Sequence, residues 1–359
     1  MENGNNSLTG FAREALFDGV AIPAHPLALN ASRRLDERRQ RALTRYYLDA
    51  GAGGLAVGVH TTQFEIRDPR IGLFEPVLAL AMDAMRERGS EEAASLVKVA
   101  GVVGPTAQAV EEAAIASRIG YDLALVSLSA FNDASNGQMI EHLNAVAEII
   151  PVFGFYLQPS VGGRRLDFEF WQQAMEIENL VAIKTAPFNR YDTLDVLRAV
   201  SESGRSESIA LYTGNDDNIL LDLLTPVRFG EEESAPKIRF RGGLLGQWAV
   251  WTRQAVSDLN EIKAARQNGS EIERRWLTRA QQLTDANAAI FDTANSFAGC
   301  IPGIHEILRR QGLLEGVWTL NPNEVLSSGQ LEELDRVYSS YPSLNDDTFV
   351  RENLDRWLR

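Results

Sequence analysis

Lys184 stands near the end of an apolar run, VAIKTA (181–186), in a chain of 359 residues that contains only four lysines. In a barrel built from such strands, a residue late in a strand lies close to the carboxyl-terminal rim, where these folds keep their active sites. A lysine held inside that rim is poorly solvated, which lowers its pKa and leaves an uncharged amine that can attack a carbonyl and form a Schiff base. The alternative is a buried lysine that is paired with a carboxylate. The position of Lys184 alone supports the reactive and the structural interpretation about equally.

The other three lysines occupy positions away from the end of a barrel that carries the active site. Lys98 and Lys237 begin predicted strands, which puts them at the amino-terminal, stabilising face of such a fold. Lys263 lies on a polar helix face. Lys184 is therefore the lysine to which we assign a chemical role.

Three further groups of polar residues are predicted at the same rim as Lys184. Thr61 and Thr62 follow the second predicted strand, Tyr156 ends the fifth, and the turn TGNDD (213–217) follows the seventh. A 2-oxo acid that forms an imine needs donors for its carboxylate, which hydroxyls and turn N–H groups supply, and a proton shuttle, for which a tyrosine hydroxyl is suited. Each residue alone is more often structural, but their convergence on one rim favours a 2-oxo acid site.

Two histidines, His25 and His60, end the first and second predicted strands and are placed to face each other over the pocket. A role as substrate-specific donors or base and a role as satisfied structural histidines weigh about equally. With Glu65 or Asp68 they would form a metal site. A metal-dependent barrel enzyme is the weaker alternative, because the chain has only four histidines and no His-x-His or H-E-x-x-H spacing. We therefore predict neither a metal nor a cofactor.

Short apolar runs alternate with amphipathic stretches from about residue 18 to about residue 267, which is typical of βαβ units around a parallel sheet. Eight such units favour an α/β fold of the closed (β/α)8 TIM-barrel type over an open doubly wound sheet, and the glycine-rich dinucleotide fingerprint is missing. The predicted strands are GVAIPA (19–24), GLAVGV (54–59), VKVAGVV (97–103), LALVSLS (123–129), VFGFYL (152–157), VAIKTA (181–186), IALYTG (209–214) and IRFRGGLL (238–245).

The chain divides into three predicted segments. Residues 1–11 are expected to form a flexible amino-terminal tail, and residues 12–270 the barrel that carries the catalytic site. The strand signal ends near residue 271, and three helical patterns follow, so residues 271–359 are predicted to form a carboxyl-terminal helical extension.

The composition and net charge of the chain indicate which classes of binding partner are expected. The formal net charge is −14 and 45% of the residues are hydrophobic, so the chain can bury a large core. Nucleic acids and anionic membranes are disfavoured because both require clustered Lys and Arg, and small molecules are the expected partners. The sequence shows no spanning or secretion signal, so we expect a cytoplasmic location. The single cysteine, Cys300, has no nearby partner histidine and is interpreted as a buried structural thiol.

Because of these residues and their spacing, the chain resembles the dihydrodipicolinate synthase and N-acetylneuraminate lyase superfamily of class I aldolases. The resemblance covers about residues 12–315. The Schiff-base lysine of that family, in a G-I-K segment, matches Lys184. Its Y-x-x-P tyrosine matches Tyr156 in YLQP, and the separation of 184 − 156 = 28 residues is the one expected between the two. The resemblance implies that Lys184 forms the imine and that Tyr156 moves the protons.

The same resemblance implies the rest of the site. Thr61 and Thr62, in GVHTTQFE (58–65), would bind the carboxylate of the 2-oxo acid. Gly214 would lie beside the bound acid, and the backbone of Leu245 would line the floor of the pocket. A homo-oligomer, either a dimer or a tetramer, is also implied.

Several positions depart from the family pattern. Phe131 stands where the family has a second, proton-relaying tyrosine, and a phenyl ring cannot move a proton. Val161 replaces the arginine that holds the aldehyde's carboxylate in dihydrodipicolinate synthases. Gln63 and Phe64 replace the Gly-Glu after the threonine pair, and His60 stands where a small residue is expected. These changes argue against lysine biosynthesis and against plain sialic acid cleavage, and they favour a different, less polar second substrate or leaving aldehyde.

The leading hypothesis is therefore a Schiff-base-forming lyase, aldolase or dehydratase acting on a 2-oxo acid such as pyruvate. A non-catalytic barrel that binds a small acid as a sensor is the alternative from another class, motivated by Phe131. Four arginines stay open as anchors for a second anionic group: Arg164, Arg165, Arg190 and Arg241.

Overall fold

The computed structural model describes residue 8 and residues 10–232, 235–269 and 271–359 of the chain. Eight parallel strands follow one another around a barrel: β1 (Ala21–Pro23), β2 (Gly54–Val57), β3 (Val97–Val102), β4 (Leu123–Val126), β5 (Val152–Leu157), β6 (Leu180–Ala186), β7 (Ala210–Thr213) and β8 (Phe240–Leu245). β1 pairs with β8, and a parallel bridge between Ala24 and Ala56 closes the ring between β1 and β2. The predicted (β/α)8 barrel is confirmed.

Helices surround these strands and extend beyond them. In the described part of the chain they are α1 (Gly10–Asp18), α2 (Glu37–Asp49), α3 (Phe74–Arg86), α4 (Ser90–Ser95), α5 (Thr106–Ile119), α6 (Asn136–Ala147), α7 (Phe168–Ala174), α8 (Arg190–Glu202), α9 (Ile219–Leu224), α10 (Thr252–Gln267), α11 (Arg275–Ile290), α12 (Cys300–Arg310), α13 (Gln330–Ser340) and α14 (Asp347–Trp357). None of these described helices is both long enough and apolar enough to cross a membrane.

The strands separate two apolar layers because successive side chains point to opposite faces. Phe153 and Phe155 of β5 and Ala182 of β6 belong to the cluster inside the barrel. Their chain neighbours Tyr156 and Ile183 belong to the cluster between the strands and the surrounding helices. The face on which a rim residue lies therefore decides whether it can reach a ligand in the barrel.

The amino-terminal end of the barrel is closed by α1. Leu8, Ala12 and Leu16 join the interior apolar cluster, and the Tyr212 hydroxyl donates to the Leu16 carbonyl at 2.8 Å. Of the segment predicted as a flexible tail, residues 1–7 and 9 lie outside the described residues. Leu8 is buried and α1 begins at Gly10, so the described part of that segment packs on the barrel.

The carboxyl-terminal region contains four helices, one more than the three predicted. The additional helix, α14, buries Val350 and Trp357, and Leu354 packs between them against the core. It packs near α2, where the Trp357 indole N–H donates to Asp49 at 2.6 Å. The connection between α11 and α12 instead reaches the carboxyl-terminal mouth of the barrel.

Candidate active site

A cavity opens at the carboxyl-terminal end of the strands and encloses about 630 Å³, counted out to its open mouth. Its polar lining comes from His60, Thr61, Gln158, Lys184, Asp216 and Cys300. Its apolar lining comes mainly from Ala24, Val59, Leu125, Phe155, Leu157, Val161, Ala186, Phe188, Phe291 and Phe297. The cavity is therefore largely apolar and contains a small group of polar side chains. Among these, Lys184 supplies an amine and Asp216 a carboxyl group.

Lys184 lies on β6 with its side chain in this cavity. Its Nζ is 4.5 Å from the centre of the Phe155 ring, and within the described residues it makes no ion pair at 4.0 Å or less. Burial lowers the pKa of Lys184 to about 8, and the charge of Asp216 works in the opposite direction. The contact ion pair considered for a buried lysine is thus not formed. About a tenth of the amine is uncharged at pH 7, far more than for a lysine with the ordinary pKa of 10.5.

Gly214 provides the space that the lysine side chain occupies. A Cβ at this position would lie 2.5 Å from Cε of Lys184 and 2.8 Å from Cβ of Ala186. Its N–H donates to the Thr185 carbonyl at 2.8 Å, which fixes the turn after β7 beside β6. The structure therefore places Gly214 next to Lys184 and explains why a side chain is excluded there. Its predicted position beside a bound 2-oxo acid stays a prediction.

Asp216, in the same turn, is the acidic group of the cavity, and the sequence analysis did not single it out. Its Oδ1 accepts the Gln247 N–H at 3.2 Å, and its carbonyl accepts from the Asn287 amide at 2.7 Å. Burial raises the pKa of Asp216 to about 7, while Lys184 opposes that shift. The carboxyl can consequently exist in both protonation states near neutral pH. The signal for it was two adjacent carboxylates directly after a buried strand.

His60 also lines the cavity, with its ring centre 5.8 Å from that of Phe64. Burial, and then the charge of Lys184, lowers the pKa of His60 to about 4. The imidazole is therefore neutral at physiological pH and can accept or donate a hydrogen bond.

The two threonines use their hydroxyls differently from the prediction. Thr61 lines the cavity but donates its hydroxyl to the Ala24 carbonyl at 2.8 Å, and Thr62 donates to the His25 carbonyl at 2.7 Å. Thr62 also accepts the Gly58 N–H, so it braces the loop after β2. A hydroxyl has one hydrogen, so neither is free for a carboxylate. In the described chain the backbone N–H groups of His60 and Thr61 have no acceptor, so they are available as donors at this rim.

The structure separates Tyr156 from Lys184, contrary to the predicted pair. The Tyr156 ring packs 5.8 Å from Trp171 in the outer layer, and its hydroxyl accepts the Leu166 N–H at 3.1 Å. The residue of β5 that faces Lys184 is Phe155. Tyr156 is completely buried away from the cavity and is not placed to move protons at the amine.

A register shift explains why a separation of 28 residues was misleading. Val152 pairs with Leu180, an offset of 180 − 152 = 28, but the next pair is Phe153 with Ala182, an offset of 182 − 153 = 29. Val181 is the extra residue, and one extra residue moves the following side chains to the opposite face. Lys184 is thereby paired with Phe155 instead of Tyr156.

His25 lies outside the barrel and does not face His60. Its Nε2 is 2.9 Å from the Thr44 hydroxyl of α2, and its ring packs edge-on against Tyr47 at 5.2 Å. It is a satisfied structural histidine. The metal alternative consequently lacks the histidine pair on which it depended. Within the described residues no cluster of three or more His, Cys, Asp or Glu could hold a metal ion.

Phe131 and Leu245 are not part of the cavity wall either. The Phe131 ring packs on His142 with centres 4.4 Å apart. The Leu245 side chain joins the outer apolar layer, while its carbonyl accepts the Ala24 N–H at 3.1 Å. The next residue, Gly246, lines the cavity in its place.

No arginine contributes to the lining of this cavity among the described residues. Arg164 donates to the Phe131 and Ala134 carbonyls. The other three candidate anchors form ion pairs elsewhere: Arg165 with Asp192, Arg190 with Asp222 and Arg241 with Glu207. Cys300 lines the cavity as a buried thiol, and burial raises its pKa, so it stays protonated.

Comparisons with known proteins identify the family and support the fold. The model of the dihydrodipicolinate synthetase family matches residues 19–227, more than half of the chain. A 4-hydroxy-tetrahydrodipicolinate synthase of Acaryochloris marina is 31% identical over 136 residues, which are 37% of this chain and 44% of the relative. The matches cover 38–66% of the length of the similar sequences found.

Two solved structures share the fold over almost their whole length. A dihydrodipicolinate synthase from Acinetobacter baumannii in complex with pyruvate superposes with a TM-score of 0.72 and 16% identity, covering 90% of this chain and 99% of that one. An N-acetylneuraminate lyase from Fusobacterium nucleatum, also complexed with pyruvate, gives a TM-score of 0.67 and 16% identity, with 92% and 99% covered. The chain belongs to the dihydrodipicolinate synthetase family.

Proposed function

We propose that this protein is a Schiff-base-forming lyase, aldolase or dehydratase that acts on a 2-oxo acid such as pyruvate. The observation that supports this best is the buried Lys184 amine, which has no contact ion pair and opens into a cavity at the carboxyl-terminal end of the barrel. An amine in that state is a nucleophile for a keto carbon. Complexes of two structural neighbours with pyruvate suit the same chemistry.

In the proposed reaction Lys184 attacks the keto carbon and forms a carbinolamine. Loss of its hydroxyl as water gives a protonated imine, and removal of a proton from the adjacent carbon gives an enamine. The enamine stabilises the carbanion that carbon–carbon bond formation or cleavage requires. The backbone N–H groups of His60 and Thr61, together with the turn at Gly214, would hold the carboxylate.

Proton transfer in this scheme is assigned to Asp216 because Tyr156 lies outside the cavity. A protonated Asp216 would give its proton to the departing hydroxyl of the carbinolamine. The resulting carboxylate would then accept the proton from the carbon next to the imine, which returns Asp216 to the acid form. Neutral His60 stands on the same cavity wall as a further hydrogen-bond partner.

The second substrate, or the leaving aldehyde, is proposed to be less polar than those of dihydrodipicolinate synthases or sialic acid lyases. Val161, Phe188, Phe291 and Phe297 line the cavity, and no arginine lines it among the described residues. A second carboxylate that packed against these apolar side chains would lose its hydration without gaining an arginine partner. A less polar second substrate is consistent with Phe131 and Val161, the apolar residues that depart from the family pattern in the sequence.

Reductive trapping tests the function. The protein is incubated with pyruvate and sodium borohydride, digested, and mapped by mass spectrometry. A pyruvate-derived adduct on Lys184 is expected, and the Lys184→Arg variant should give none. Absence of an adduct with pyruvate and with larger 2-oxo acids would contradict the proposal.

One observation favours a second candidate, a non-catalytic barrel that binds a small acid. No tyrosine hydroxyl reaches the cavity in the described structure, so the expected proton shuttle is missing. This sensor would bind pyruvate or form an imine without exchanging the C3 protons. Proton–deuterium exchange of pyruvate in D2O, followed by NMR, separates the two, since only the enzyme catalyses exchange.

We further propose that the protein acts in the cytoplasm as a homo-oligomer, either a dimer or a tetramer. The support is the family resemblance of the barrel and its helical extension. Sedimentation velocity at micromolar concentration would give a single monomer boundary if the assembly proposal were wrong.

A further inference from the structure

A basic groove lies at the amino-terminal end of the barrel, opposite the Lys184 cavity. It is lined by Phe17, Asp18, Arg239, Arg241, Lys263, Arg266 and Gln267. Arg239 and Arg241 flank the start of β8, and Lys263 and Arg266 lie one turn apart on α10. Four cationic side chains thus converge in one concave region of a chain whose net charge is −14.

Acidic partners neutralise only half of this charge. Lys263 pairs with Asp18, and Arg241 pairs at 3.3 Å with Glu207, whose side chain is 88% exposed. Arg239 and Arg266 have no acidic partner among the described residues. The unmatched guanidinium groups of Arg239 and Arg266 therefore lie near a third guanidinium, that of Arg241, and these like charges repel one another.

Arg266 is the most informative member of the groove. Its Nη1 donates to the Phe240 carbonyl at 3.3 Å, but its Nε and Nη2 are buried and have no acceptor. These two N–H groups lie on one edge of the guanidinium, which is the edge that binds two oxygens of a phosphate or carboxylate at once. Burial, and then the charges of Arg239 and Arg241, lowers the pKa of Arg266 to about 10, so it is still charged at neutral pH.

Buried donors without acceptors are rare in folded proteins because they lose their hydrogen bonds to water. A ligand with several negative oxygens would satisfy both nitrogens of Arg266 and would neutralise its neighbours. Arg239 is partly buried and held by no hydrogen bond or ion pair within the described residues, so it can turn toward such a ligand. Gln267 adds an amide donor at the same groove.

We propose that this groove binds a small phosphate-bearing polyanion, with the Nε and Nη2 edge of Arg266 as its central contact and Arg239 and Arg241 at its sides. Phosphate chemistry is favoured over a single carboxylate because two positive charges stay unmatched after Asp18 and Glu207 are counted. This site is separate from the proposed reaction at Lys184, since β8 runs between the two ends of the barrel.

Titration calorimetry with pyrophosphate tests the proposal, with inorganic phosphate and citrate as comparison probes at constant ionic strength. Pyrophosphate is expected to bind the parent protein, and its Kd should rise at least tenfold in Arg266→Gln and in Arg239→Gln. Arg274→Gln removes the same charge from an exposed side chain and should leave the Kd unchanged. Borohydride trapping of pyruvate at Lys184 in each variant reports whether the barrel is intact.

A second readout separates binding from a structural role. Without ligand, Arg239→Gln should unfold at the same temperature as the parent or higher, because it relieves repulsion from Arg241 and Arg266. Binding of none of the probes, citrate binding as tight as pyrophosphate, or equal weakening in Arg274→Gln would each overturn the proposal. Should Arg266→Gln fail to fold, an unchanged Kd in Arg239→Gln overturns it alone.

Discussion

Lys98 and Lys184 are both buried lysines on strands of the same barrel, with exposed fractions of 8% and 9%, yet their surroundings are opposite. Lys98, at the start of β3, pairs with Asp122 at 2.8 Å and donates to the Leu96 carbonyl at 3.0 Å. Lys184, late in β6, faces the Phe155 ring with no contact ion pair in the described structure. Burial alone therefore does not make a lysine reactive. We propose that reactivity requires a buried lysine that lacks an acidic partner and lies at the open end of the barrel.

Exchanging each lysine for methionine tests this contrast most strongly. Lys184→Met should lower turnover by roughly 10⁴-fold or more, because the covalent step loses its nucleophile. Stability should change little, since methionine suits the apolar cavity. Lys98→Met should instead keep turnover within about tenfold but lose about 3 kcal/mol of unfolding free energy, because Asp122 is left without its partner. Steady-state kinetics and urea unfolding measure both; loss of turnover in Lys98→Met alone would refute the contrast.

Asp216→Asn sharpens the contrast by removing the carboxyl group that shares the cavity with Lys184 and whose charge acts on the amine. We expect C3 proton exchange of pyruvate to slow by roughly 10³-fold, within the range for loss of a general acid–base group. Asp217→Asn is the matched control, because Asp217 is the next residue, is exposed and does not line the cavity. Equal rates in the two variants would remove Asp216 from the mechanism.

Gly214→Ala should disturb the position of the Lys184 amine. The added methyl group would overlap Cε of the lysine, and a displacement of about 1 Å can cost roughly 10²-fold in rate. Gly137→Ala in α6 is a control without such a contact, since the nearest atom is 3.9 Å away. Unimpaired imine trapping in Gly214→Ala would show that the lysine does not need this space.

Tyr156→Phe should have the smallest effect. The hydroxyl accepts one backbone hydrogen bond, from Leu166, so its loss should cost about 1 kcal/mol of unfolding free energy. Proton exchange on pyruvate should stay within about threefold of the parent rate, because the hydroxyl is outside the cavity. A large fall in exchange at normal stability would return the shuttle role to Tyr156.

The sequence was sufficient for the barrel, because apolar runs that alternate with amphipathic stretches are typical of buried strands covered by helices. It also predicted Lys184 and the turn at Gly214 at the same end of the barrel, where the structure has them in contact. It failed for Tyr156 because the extra residue at Val181 changes which face each side chain meets, and residue counting does not detect a register shift. It failed for His25 because the chain leaves β1 before that residue, which turns its ring toward α2. Asp216 was interpreted only as part of a turn, since the groups that hold it come from α11 and from the residues after β8, which are distant in the sequence.

The pH dependence of pyruvate trapping tests most directly whether Lys184 is a desolvated amine. The uncharged form is the nucleophile, so the initial trapping rate should rise with pH, with a midpoint near 8 in place of the ordinary lysine value of 10.5. In Asp216→Asn the midpoint should move to lower pH, because the negative charge that raises the amine's pKa is removed. A midpoint near 10.5, or the same midpoint in both proteins, would contradict the account.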